Sequence, residues 1–99
     1  MGIIVEFNPD LALRNIAEYE SGNREYQECI PAELTVGQTY TFLKKGQRNY
    51  WLHGKMPLIE TDGTVHSEPK ASVVIQEATH FLRNGEQWTK GVYEVQEVL

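Results

Sequence analysis

The second half of the chain carries the clearest pattern of apolar and polar positions. Ser72 to Arg83 is long, apolar and β-branched, Asn84-Gly85 follows, and Glu86 to Leu99 resumes strand character. An Asn-Gly pair between two strand-like runs predicts a long hairpin, because both residues tolerate positive φ. Gly91 is expected to interrupt the returning strand. Upstream, Thr39 to Leu43 is rich in Thr, Tyr and Phe, Lys45-Gly46-Gln47 forms a turn signal, and Arg48 to His53 alternates Arg48, Tyr50 and Leu52 with Asn49, Trp51 and His53. These segments read as a first hairpin, with Gly54 bending the chain before a strand at Met56 to Glu60.

The remaining segments are patterned more weakly. Ile3, Val5 and Phe7 share one side of an extended Gly2 to Phe7, which predicts a strand. Asn8 before Pro9 reads as a helix start, with Leu11, Ala12, Ile16 and Tyr19 as the apolar stripe and Ser21-Gly22-Asn23 as the stop; the same segment also suits an ordered loop. Tyr26 to Ile30 reads as a short strand ended by Pro31. Thr61-Asp62-Gly63-Thr64 is a turn signal, and the polar stretch on to Lys70 is expected to be an exposed loop. The order of elements predicts an α+β fold: a mainly antiparallel, strongly bent sheet or small β-barrel with one short N-terminal helix. At the level of fold alone it looks like a small barrel of the oligonucleotide- and oligosaccharide-binding type.

Composition narrows the class. Ninety-nine residues with 40% hydrophobic content suffice for one compact domain, residues 1–99, and not for two independent cores. No apolar run approaches the roughly 20 residues that cross a bilayer, so a cytoplasmic protein is expected, with no membrane partner. Cys29 is the sole cysteine, which rules out an internal disulfide and a multi-cysteine metal site within one chain.

Charge gives the most informative local feature. The stretch from Phe42 to Lys55 holds Lys44, Lys45, Arg48 and Lys55 and no acid, in a chain of net charge -5, so the other residues carry -9. Interleaved with Tyr50, Trp51 and His53, these cations suit an anion-binding or base-stacking surface, and equally an ordinary exposed hairpin whose aromatics fill the core. An acidic balance disfavours coating of nucleic acid or anionic lipid, so any polyanion contact is expected to be local.

Other chemistry finds little support. His53, His66 and His80 lie on separate elements with no paired-ligand spacing, so neither a metal site nor a Cys29–His pair is expected. The carboxylates Glu18, Glu20, Glu25, Glu28 and Glu33 read as a solvated acidic face or a lure for a basic partner. Phosphate-cradling glycine loops, dinucleotide fingerprints and nucleophile elbows are lacking. The β-prone tail from Gly91 to Leu99 pairs internally or offers an edge for a homodimer.

The sequence reading is therefore a noncatalytic binding or adaptor module without a cofactor. Its ligand-binding residues would be Lys44, Lys45, Arg48, Trp51, His53 and Lys55, and its partner an anion, a short nucleic acid or an acidic protein surface. The alternative is a small acidic inhibitor or regulatory subunit docking a basic protein through Glu18 to Glu33. An enzyme is the least favoured reading, since it requires the histidines to converge in a pocket.

Overall fold

Asn84 and Gly85 both adopt positive φ, 52° and 79°, and Arg83 faces Glu86 across them. This two-residue turn joins the two longest elements of the chain, as the Asn-Gly signal requires. The computed structural model describes residues 7–64 and 66–99, with His66 described by its backbone only. Among the described residues five strands form one sheet: β1 (Leu11–Leu13), β2 (Thr39–Lys45), β3 (Lys55–Thr61), β4 (His66–Arg83) and β5 (Glu86–Val98), in the order β1-β3-β4-β5-β2. β1 runs parallel to β3, and the other pairings are antiparallel. The sheet is open, with β1 and β2 at its two edges, so neither the barrel nor the strong bending predicted from sequence is found.

One face of this sheet holds the core. Ala71, Val73 and Ile75 of β4, Tyr93 and Val95 of β5, Phe42 of β2, Leu58 of β3 and Leu11 of β1 are all fully buried. Period-two alternation puts these residues on one side of their strands, and burying each larger apolar side chain contributes about 1.5–3 kcal/mol. The aromatic centre is layered: Phe42 meets Tyr50 edge-on at 5.5 Å, and Tyr40 stacks on Tyr93 at 5.6 Å.

Gly91 does not interrupt β5. It pairs with Phe42 on one side and Ala78 on the other, while the irregularity falls across the sheet, at the register shift between Ile75 and Glu77. A Cβ at position 91 would collide with the Glu77 carbonyl oxygen and lie 2.8 Å from the Phe42 ring. The glycine therefore admits a bulge in β4 and an aromatic ring above it.

Several elements depart from the sequence reading. The predicted strand at residues 2–7 lies outside the described residues except for Phe7, which is not in a strand. Leu11 to Leu13, expected in a helix, instead form β1, because pairing with Leu58 to Glu60 buries all three side chains. The helix, α1 (Ile16–Glu20), starts later and is capped by Asn15 rather than Asn8, the Asn15 side chain accepting from the Ala17 amide at 2.8 Å. It ends at the predicted stop, with Ser21 as its C-cap.

Tyr26 to Glu28 form one 3₁₀ turn instead of a strand, closed by reciprocal side-chain caps from Glu25 and Glu28. The polar stretch before Lys70 is already strand: β4 begins at His66, where polar residues exposed to water pair with the end of β3.

The first hairpin is not formed either. β2 pairs with β5 along its length, and residues 48–53 leave the ladder after Gly46, whose φ is 95°. Long-range pairing wins because Tyr40 and Phe42 then face Tyr93 and Gly91 inside the core, whereas a local hairpin would leave that ladder unmatched. The freed segment lies over the His80–Thr89 cross-strand pair. There the buried Thr89 hydroxyl accepts from the Arg48 amide and donates to the Gly46 carbonyl, each at 2.9 Å.

Candidate functional site

Cross-strand register decides where the basic residues go. Tyr40, Phe42 and Lys44 face Tyr93, Gly91 and Thr89, so Lys44 is the third member of a stripe whose first two residues are core aromatics. Its ammonium crosses the mouth of the core and donates to the Ala12 carbonyl on β1. The neighbouring Lys45 points the other way and meets exposed Glu86 at 3.1 Å.

Arg48 comes from the segment that leaves the ladder. Its position is fixed through the backbone, by Thr89, by His80, whose Nε2 lies 2.6 Å from the Arg48 carbonyl, and by the neighbouring hydrogen bond that the Asn8 amide donates to the Asn49 carbonyl at 2.7 Å. The Arg48 Nε donates to the Lys45 carbonyl at 3.3 Å, folding the side chain back along the turn. Arg14 arrives from the end of β1, held between the Glu28 carbonyl and the Ile30 amide. Its guanidinium donates to the Asp62 carbonyl at 2.5 Å and lies against Gly63, where a Cβ would meet it at 2.7 Å.

Arg14, Lys44 and Arg48 line one polar cleft of about 340 Å³, whose walls also include Asn8, Asp10 and Glu28. The electrostatics register this convergence. Burial, then the charge of Arg48, and more weakly that of Arg14, pull the Lys44 pKa down to about 8, with Asp10 opposing them. Glu28 brings a carboxylate to the same walls and accepts from Arg24 at 3.5 Å and from the Glu25 amide at 3.0 Å. The Tyr50 hydroxyl is buried without a hydrogen-bond partner; burial pushes its pKa up, and it feels Arg48 and Asp10.

Of the six residues proposed from sequence, Lys44 and Arg48 meet in this cleft and the other four lie elsewhere. Trp51 is exposed and its ring lies tilted against Phe7 with centroids 4.8 Å apart. His53 holds positive φ at 63° and ties its amide to Ile75, and Lys55 is exposed opposite Val74. Arg14 was missed by the sequence reading. Position 14 falls inside the segment read from sequence as a helix, and pairing of β1 with β3 brings it instead to the cleft that Lys44 lines.

The remaining candidates are placed as follows. Cys29 is buried, and burial raises its thiol pKa, the opposite of an activated nucleophile. Among the described residues no three His, Cys, Asp or Glu side chains are grouped to hold a metal ion, and no helix is long and apolar enough to cross a membrane. In the acidic segment, Glu18 faces Arg14 and Arg24, and Glu25 receives both Arg83 nitrogens at 2.5 and 3.1 Å. The tail pairs internally: β5 is bonded to β4 along its length and to β2 from Trp88 to Glu94. No protein-family model, no curated protein and no solved structure matches this chain.

Proposed function

We propose that this chain is a noncatalytic binding module that holds a small anion in the cleft between β1, β2 and the segment after β2. One observation carries the reading: Arg14, Lys44 and Arg48, from three separate elements, converge on one half-enclosed space, and their mutual repulsion is felt at Lys44. Clustering cations in a partly desolvated site raises the free energy of the empty protein, and an anion placed among them lowers it. The net charge of -5 favours a small ligand, because a long polyanion would meet repulsion beyond the cleft while a small one meets only the local positive field. Pairing of Glu18, Glu25 and Glu28 with arginines of the same chain weighs against the acidic docking surface.

Calorimetric titration at low salt with phosphate, sulfate, acetate and citrate tests the proposal. Saturable one-to-one binding of at least one anion is expected, weakened at least tenfold by Arg48→Gln and unaffected by Lys45→Ala, whose partner is Glu86 outside the cleft. Absence of binding by every anion, or equal losses in the two variants, would overturn it.

A further inference from the structure

The cleft's donors are more numerous than a carboxylate requires. One guanidinium serves both oxygens of a planar carboxylate, whereas a tetrahedral oxyanion presents three terminal oxygens to donors arriving from different directions. Here two guanidiniums and an ammonium come from three elements. The Ala12 carbonyl takes one of the three protons of the Lys44 ammonium, the Asp62 carbonyl and, at 3.8 Å, the Glu18 carboxylate share one Arg14 nitrogen, and the Lys45 carbonyl takes the Arg48 Nε, so each cation has further donor capacity.

The same walls hold groups of the opposite kind. Asp10 lines the cleft and its charge reaches both Lys44 and Tyr50. A volume of about 340 Å³ lies at the small end of ligand pockets, which run from about 300 to 1,000 Å³.

Resting on the anion-binding reading, we infer that the occupant is a small hydroxylated phosphomonoester, its phosphoryl group between Arg14, Lys44 and Arg48 and its hydroxyls toward Asp10. The phosphoryl group meets three cations as a dianion, and Asp10 accepts from the alcohol groups that the ester carries. A bare anion fills only the first half of this arrangement.

Calorimetry at pH 8 with inorganic phosphate, glycerol 3-phosphate, sulfate, acetate and a six-residue oligothymidylate lacking terminal phosphates separates the alternatives. Glycerol 3-phosphate is expected to bind at least threefold tighter than phosphate or sulfate and at least tenfold tighter than acetate. Asp10→Asn should erase its advantage over phosphate, and Arg48→Gln should weaken both, with circular dichroism confirming that each variant is folded. Acetate binding as tightly as phosphate, or sulfate as tightly as the ester, would overturn this inference and leave the anion-binding reading intact. Tighter binding of the oligonucleotide would replace the small ligand by a strand. Loss of all binding would remove both proposals.

Discussion

Lys44 shows how one position in a strand links stability to function. It occupies a core-facing register position behind Tyr40 and Phe42, and titrates near 8 in the folded protein against 10.5 for an ordinary lysine. Between those values the unfolded chain binds more protons, so stability rises with pH through the window. The cost is fully present below the folded pKa and disappears above the unfolded one. A shift of this size corresponds to about 3 kcal/mol at neutral pH. Lys44→Met removes that cost and loses the bond to Ala12, worth about 1–2 kcal/mol. The variant should therefore be more stable than the parent in urea at pH 7 by about 1–2 kcal/mol. That margin should narrow or reverse by pH 9.5, and one constant across the range would contradict the assignment. Gly91 makes a purely steric case at the same scale. Gly91→Ala should destabilise by about 2–4 kcal/mol, because neither the Glu77 carbonyl nor the Phe42 ring yields without moving backbone or core, and urea unfolding measures the loss directly.

Among the elements, the long hairpin was legible in sequence and the short pieces around it were not. Asn84-Gly85 fixes its own turn through backbone conformation alone, a local property that survives in any context. Replacing both residues by alanine forces two side chains into positive φ, and should cost about 1–3 kcal/mol and accelerate amide exchange at Phe81 to Trp88 before the rest of β4 and β5. By contrast, Leu11 to Leu13 are compatible with a helical stripe or a buried strand, and the choice is made by β3, more than 40 residues away in the chain. Arg48 to His53 alternate well enough for a strand, yet β5 had already taken the edge of β2 that a hairpin would use. Half of the cleft was readable for the same reason. Lys44 and Arg48 stand close together in a basic run, while Arg14 joins them only through tertiary pairing.

At the scale of the molecule, an acidic protein carries a small cleft in which Arg14 from the β1 end meets Lys44 and Arg48 from the basic run. Arg14 is tied to the turn at Asp62, Lys44 to the β1 edge and the Arg48 backbone to Thr89, so the cleft is held together by bonds within the protein. Such bonds lower the ordering cost of binding. A small ligand in such a cleft should also lose affinity only modestly between 50 and 200 mM salt, far less than the 10³–10⁵-fold typical of a protein making many phosphate contacts along a strand.

The most direct test is to follow the Lys44 ammonium by nitrogen-detected NMR from pH 6 to 11, with and without saturating inorganic phosphate. A midpoint near 8 in the free protein, moving upward by at least half a unit with phosphate, is expected of a cation crowded by Arg48 and Arg14 and relieved by an anion. A midpoint at the ordinary lysine value, unmoved by phosphate, would contradict the cleft as a binding site.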